Sequence, residues 1–293
     1  MIRVSEEVRT ALADGRGVVA LETTLVAHGF PPGDGIAVGL ASEAAVREGG
    51  SVPATVGVLD GELRIGLAEA ELARFDADAR KLGQRELAAA VVQRAVGATT
   101  VGGTLVACRA AGIRAMATGG LGGVHRRALP GDPPDISADL KALADTGALV
   151  VSSGVKSLLD VPATAELLET LGIPVLGWRT ATLPLFYSAR GGPSVSTRVE
   201  TVEETAAVAA AHWRLGGGGV LVARPPDESL DDVEPLIAEA LAAAAAEGVH
   251  GQAVTPFVLA RLHRESDGRT LRANRELVLG NARLAGELAA ALV

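Results

Sequence analysis

The chain is poor in cysteine, in aromatic residues and in lysine. Its one cysteine, Cys108, excludes an intrachain disulfide and fits a reducing compartment. The neighbours Leu105, Val106 and Ala107 predict a buried thiol, and nothing nearby in sequence would lower its pKa toward catalysis. Aromatics make up 2% of the 293 residues, so the core must be built from Ala, Val and Leu. A net charge of −8 excludes an extended basic surface for polymeric nucleic acid, although one local pocket can still take a free nucleotide. The stretch Met1–Glu7 lacks the charged-then-apolar layout of a signal peptide. No apolar run is long enough for a bilayer, and the alanine-rich run 241–246 reads as a buried helix. These absences predict a cytoplasmic protein without membrane contact. Lys81, Lys141 and Lys156 are the only lysines, so amine chemistry is confined to three positions.

Against these shortages, 48% of the residues are apolar, enough for a substantial core. Strand-like runs alternate with helical periodicity along the chain, which predicts one α/β domain over 1–293 with a layered, mostly parallel sheet. Ser5 caps a helix to about Asp14, and Val18–Leu21 is a strand ending in Glu22-Thr23-Thr24. Residues 28–33 read as a loop before a helix over 35–48. Asp60-Gly61, between 53–59 and 62–66, is a hairpin signal and adds one antiparallel element. Residues 67–75 and 86–96 are helical, and small and hydroxyl residues fill 97–104. A helix then ends at Gly112. Further strands are expected at 114–117, 148–152, 174–178 and 220–223. Helices are expected at 162–171, 203–215, 230–247, 256–265 and from 271 to the end, with an extended loop over 180–198.

The chemistry concentrates between Thr118 and Lys156. The run Thr118-Gly119-Gly120-Leu121-Gly122-Gly123 follows a strand and serves either as an anion-binding turn or as a tight structural one; it is neither a Walker loop nor a dinucleotide fingerprint. Asp135, Ser137 and Asp139, at i, i+2 and i+4, suit a hard divalent cation or a helix N-cap. Asp132, before two prolines, reads as solvated. Lys156 follows Val150, Val151 and Val155 and precedes Leu158 and Leu159. Apolar surroundings disfavour an ammonium, and a neutral amine is a nucleophile; the alternative is a snorkelling lysine. Lys141 lies on the helix after the acids and reads as solvated. Glu22 is either a functional carboxylate or a solvated strand end, and Lys81, beside Arg80, either points at an anion or is solvated. The amide of Asn281, among apolar residues, either reads a nucleobase edge or lies on a helix surface. His28 and His125 flank glycines and read as local hydrogen-bonding groups, and no spaced His or Cys pair suggests zinc.

Several runs together resemble the pseudouridine-5'-phosphate glycosidase family, which includes the indigoidine synthase A proteins. They are Ala20-Leu21-Glu22-Thr23-Thr24, Val52-Pro53-Ala54-Thr55, Gly97-Ala98-Thr99-Thr100-Val101, 117–126, 135–140, Ser153-Gly154-Val155-Lys156-Ser157, Val254-Thr255-Pro256-Phe257 and Asn281-Ala282-Arg283. The resemblance implies an α/β/α fold, commonly a homotrimer, and reversible cleavage of the C–C bond joining uracil to ribose 5-phosphate in pseudouridine 5'-phosphate. It implies Lys156 as the nucleophile at C1', Glu22 as the proton donor and Asp139 as a residue placed for proton transfer. Asp135 would hold Mn²⁺, with Mg²⁺ as the alternative, largely through waters. Lys81, the backbone at Val101, Thr118, Ser137, Ala138, Asp139 and Asn281 would contact substrate. Arg127 and Gly280 stand where the resemblance leads one to expect Gly and Asn, and the loop 128–134 is longer than expected. Two rival readings are another lysine-imine phosphosugar lyase and a non-catalytic nucleotide-binding protein of the same fold.

Overall fold

Alternation along one strand already defines three layers. Val18 and Ala20 join one apolar cluster and Val19 and Leu21 join another, on opposite faces of the same sheet. The computed structural model describes residues 1–31, 33–126, 133–249 and 253–293. Eleven strands share one sheet: β1 (Ile2–Val4), β2 (Val18–Glu22), β3 (Val52–Leu59), β4 (Glu62–Ile65), β5 (Arg80–Leu82), β6 (Gly97–Thr99), β7 (Ala115–Ala117), β8 (Leu149–Ser152), β9 (Val175–Trp178), β10 (Thr197–Val199) and β11 (Val220–Ala223). The helices are α1 (Glu6–Ala13), α2 (Thr24–His28), α3 (Asp34–Glu48), α4 (Glu69–Leu72), α5 (Leu87–Val92), α6 (Val101–Ala111), α7 (Ala138–Ala144), α8 (Val161–Thr170), α9 (Val202–Arg214), α10 (Glu234–Ala246), α11 (Val254–Glu265) and α12 (Arg269–Ala291).

The strand order is β1-β4-β3-β2-β7-β8-β11-β9-β10, with β6 pairing both β3 and β5. Every pairing is parallel except β3 with β4 and β3 with β6. The Asp60-Gly61 hairpin is present, with both residues at positive φ as its turn requires. On one face α3, α9 and the C-terminal half of α12 cover β2, β7, β8 and β11 with Val, Leu and Ala side chains. On the other lie α1, α6, α7 and α8. Cys108 is buried in α6, and desolvation pushes its thiol up to about 12. Among the described residues no helix is long and apolar enough to cross a membrane.

Two elements differ from the sequence reading in ways that matter for the site. Strand β5 was not expected, because Arg80-Lys81-Leu82 carries a single apolar residue; its parallel pairing to β6 supplies the signal that composition lacks. Helix α2 occupies Thr24–His28, so only residues from Gly29 on form the expected loop. Arg127, Asp132 and most of the loop 128–134 lie outside the described residues.

Candidate active site

Strand β2 stops at Glu22, opposite Val56, and β6 takes over the same edge of β3 from Gly57 onward. Thr23 locks this junction: its hydroxyl donates to Val56 O at 2.7 Å and accepts from the Thr99 amide at 2.9 Å. A crevice therefore opens at the carboxyl ends of β2, β7 and β8, the usual ligand position in an open parallel sheet. Glu22, Thr118 and Lys156 stand at or just beyond those three ends.

The crevice has two lobes. A small, mostly apolar one of about 70 Å³ is walled by Leu25, Leu158, Phe186, Pro256 and Leu259, with Asn274 and His28 among its polar groups. A larger polar one of about 420 Å³ is lined by Arg85, Thr100, His125, Asp135, Ser137, Ala138 and Asp139. Glu22, Thr24, Lys81, Lys156 and Thr255 line both and mark where the lobes meet.

Glu22 is not the solvated strand end that its position suggests. It is partly buried and lines the crevice, and its Oε1 accepts from the Thr118 hydroxyl at 2.5 Å. Desolvation pushes its carboxyl above the usual range, with Asp139 adding to the rise. Lys156, the Thr118 hydrogen bond and Lys81 oppose it. Lys156 leaves the end of β8 on a turn whose amide donates to Leu121 O at 3.1 Å, between the glycine run and buried Leu158 and Leu159. Lys141, by contrast, is exposed and paired with Asp145 on α7.

Lys81 enters the crevice from β5. Burial, and then the like charge of Lys156, push its ammonium down to about 8 from an ordinary 10.5. If Lys81 binds an anionic ligand, that attraction fades as pH rises through about 8. We expect KM for a phosphorylated ligand to climb there, and Lys81→Met to show a high KM that no longer changes. Steady-state kinetics between pH 6.5 and 9.5 checks this, and a wild-type KM flat across that range would count against it.

Asp139 is buried in the first turn of α7, with Ser137 as the N-cap. Its Oδ1 accepts from the Gly102 amide at 2.7 Å, so the carboxylate also sits against the N-terminus of α6. The glycine run packs tightly against its neighbours, and Gly119, Gly120 and Gly122 line the crevice. Within the run the amides of Thr118 and Leu121 are bound to Val151 O and Gly154 O, and just beyond it those of Val124 and His125 are bound to Thr164 Oγ1 and Asp135 O. A Cβ at Gly122 would collide with Ser137 Oγ and Asp139 Oδ2, so the glycines admit neighbouring side chains.

Asn281 and Val101, both expected at the ligand, do not line either lobe. Asn281 is fully buried and not on a helix surface. Its Nδ2 donates to Thr118 O at 2.9 Å and to Ser153 Oγ at 3.1 Å, tying together the ends of β7 and β8. Asn274, two turns earlier on α12, is the amide that lines the apolar lobe. Gly280 also lies away from the crevice: a Cβ there would sit 2.6 Å from the guanidinium carbon of Arg224, so glycine makes room for that side chain. At the second position Val101 is buried, and Thr100, the N-cap of α6, lines the polar lobe instead.

Sequence reasoning missed Phe186, held at φ +64° with its amide bound to Ser153 O at 3.1 Å. A bulky residue in that region is strained, a condition that clusters at functional sites, and Phe186 packs edge-to-face on Tyr187 while walling the apolar lobe. Thr255 lies in one of the runs quoted above, yet by itself gave no sign of facing the crevice. His28 is the local hydrogen-bonding group expected, with Nε2 3.0 Å from Ala79 O. Burial lowers the imidazole of His125, which lines the polar lobe.

Among the described residues no three His, Cys, Asp or Glu side chains converge as a metal cage. Asp135 is exposed at the rim of the polar lobe, and a lone carboxylate there suits a hard cation that keeps most of its waters.

Known proteins resemble this chain over nearly its whole length. A pseudouridine-5'-phosphate glycosidase of Streptomyces griseus subsp. griseus is 48% identical over 297 residues, covering 98% of this chain and 91% of its own. That of Herpetosiphon aurantiacus is 44% identical over 296 residues, covering 99% and 97%. The prealnumycin C-glycosynthase AlnA, solved in complex with ribulose 5-phosphate, superposes with a TM-score of 0.88 at 42% identity, covering 100% of this chain and 97% of its own. The family described as indigoidine synthase A like protein matches residues 7–291, and the chain belongs to that family.

Proposed function

We propose that the chain is a pseudouridine-5'-phosphate glycosidase that cleaves the C–C bond between uracil and ribose 5-phosphate. The observation that carries this reading is the meeting of Glu22, Lys81 and Lys156 where an apolar lobe joins a polar one. The base fits the apolar lobe, with Asn274 presenting a donor and an acceptor to its imide edge. The sugar phosphate fits the polar lobe, near Lys81, Arg85 and the N-termini of α6 and α7.

A C-glycoside has no heteroatom leaving group to protonate, so an acid alone cannot cleave it. The Lys156 amine attacks C1', the C1'–O4' bond breaks, and O4' takes up the proton that nitrogen loses. In the opened adduct the nitrogen lone pair expels the base while C5 of uracil accepts the proton of Glu22, and an iminium remains. Water hydrolyses it to ribose 5-phosphate, free Lys156 and one proton. Asp139 holds Ser137 and the α6 N-terminus in place around the sugar. Asp135 would hold a hydrated Mn²⁺ or Mg²⁺, whose charge would offset that of the phosphate. We further propose a homotrimer in the cytoplasm on the resemblance alone; light scattering at three chain masses checks the assembly.

The deciding experiment incubates the protein with pseudouridine 5'-phosphate and follows uracil and ribose 5-phosphate by chromatography. Equimolar appearance of both supports the proposal, and no release with or without added Mn²⁺ overturns it. Exhaustive chelation is expected to abolish release and Mn²⁺ to restore it; full activity after chelation would remove the cation from the reaction.

A further inference from the structure

Glu22 gives up a proton in every turnover, and the crevice is not its only polar neighbourhood. Behind it, on the α3 side of the sheet, lies a second, smaller cavity of about 20 Å³, room for a single water. Glu22, Thr118, Ser42 and Thr55 supply its polar lining, amid Leu21, Leu25 and Val278. The Ser42 hydroxyl donates to Val38 O, which leaves its lone pairs able to accept. A water there would have the polar groups of Glu22, Thr118, Ser42 and Thr55 to bond within a largely apolar wall.

Thr55 continues the line outward. It is buried on β3, next to Leu21 of β2, and its hydroxyl is hydrogen-bonded to the carboxylate of Glu43 on α3. Glu43 is half-buried and faces Arg47 on its own helix, Glu7 of α1 and Glu69 of α4, all exposed. Around Glu22 the facing charges are Lys156, Lys81 and Asp139. We infer that Glu43, Thr55 and the cavity water form a proton relay that reloads Glu22 from the solvent face opposite the substrate crevice. The inference rests on the glycosidase reading above.

The atoms balance. Glu22 loses one proton to C5 of uracil, and iminium hydrolysis releases one proton on the crevice side. The relay returns one. The Thr55 hydroxyl, which donates to Glu43 while that carboxylate is ionised, turns to accept once Glu43 is protonated. Glu43 passes its proton to Thr55 Oγ1, the Thr55 hydroxyl hydrogen moves to the water, and a water hydrogen moves to Glu22. Glu43 then takes a proton from bulk solvent. Burial pushes the Glu43 carboxyl above the usual range, against the Thr55 hydrogen bond and Arg47, which suits a group that must hold a proton nearer neutrality. The route also lets Glu22 be recharged while product still blocks the crevice.

The test compares one turnover with many, on the acid side of the fall in the wild-type kcat profile, where Glu22 holds its proton at the start. With enzyme in excess over pseudouridine 5'-phosphate, Thr55→Val and Glu43→Gln should release uracil within twofold of wild type, because Glu22 starts loaded. With substrate in excess their kcat should fall about tenfold at unchanged KM, less than the loss of the acid itself because crevice water still reloads Glu22 once product has left. Thr55→Ser should restore most of it. Wild-type kcat in both variants, or single-turnover and steady-state rates falling in step, would overturn the relay. A wild-type enzyme that releases no uracil would overturn the glycosidase reading and the relay with it.

Discussion

Lys156→Ala is expected to lose uracil release by roughly a thousandfold or more, since the covalent route has no substitute nucleophile at that position. The crevice contains a second amine, and that makes the experiment sharp. Lys81 lines both lobes as Lys156 does and has its ammonium pushed down to about 8, so amine chemistry could in principle be assigned to it. Geometry separates the two. Lys81 projects from an edge strand beside the polar residues Arg85 and Thr100. Lys156 rises from the turn after β8, with its Cγ 3.3 Å from where a Cβ of Gly120 would be, beside Phe186 and Thr118. That places it at the apolar lobe, where the base is proposed to bind. Borohydride reduction in the presence of ribose 5-phosphate, followed by peptide mapping, should modify Lys156 and leave Lys81 and exposed Lys141 untouched. Modification of Lys81 with turnover surviving in Lys156→Ala would transfer the nucleophile to β5 and end the present assignment. Lys81→Met should instead keep the trapped adduct at saturating sugar phosphate while raising the concentration needed to form it.

How far this site could be read from sequence depends on how local each signal was. Lys156 stood out because lysines are scarce and its apolar neighbours are contiguous, although those neighbours equally suit a snorkelling lysine. The layered fold was legible because the strands are short apolar runs separated by helices with clear caps, such as Ser5, Thr100, Asp160 and Thr201. Glu22 was not, because its burial is imposed from far along the chain. Thr99 bonds to Thr23 and Thr118 bonds to Glu22, across separations of 76 and 96 residues. The glycine run was ambiguous for the same reason: Ser137, Asp139, Thr164 and Phe186 fill the space its glycines leave. Asn274 and Asn281 share one helix face seven residues apart, and only the packing of α12 decides which meets the crevice and which meets backbone. Metal binding at Asp135 leaves little trace in either sequence or fold, because a cation bound largely through water needs few protein ligands.

The second large effect is expected at Glu22. Glu22→Gln keeps a carbonyl to accept from Thr118 and nearly the same volume, but has no proton to give. We expect kcat to fall by about 10²–10⁴-fold, the usual contribution of a positioned acid, with KM within a few-fold of wild type. In the wild type the raised carboxyl means that kcat should decline as pH climbs through the folded-state value, and this limb should vanish in the variant. Stability supplies an independent reading with a definite sign. Unfolded Glu22 titrates near 4.5, whereas the folded carboxyl holds its proton to higher pH, chiefly because burial penalises the charge. Below 4.5 the group is neutral in both states and costs nothing. As pH rises from 4.5 through the folded value, the unfolded chain ionises first and the wild type loses stability that glutamine does not lose. The melting temperature of Glu22→Gln should therefore match wild type at pH 4 and exceed it at pH 8, so the variant trades catalysis for stability. A variant less stable than wild type at pH 8 would mean that the Glu22 carboxylate is ionised and held by Lys156 and Lys81. A carboxylate in that state has no proton to deliver, and the acid role would have to pass to another residue in the crevice.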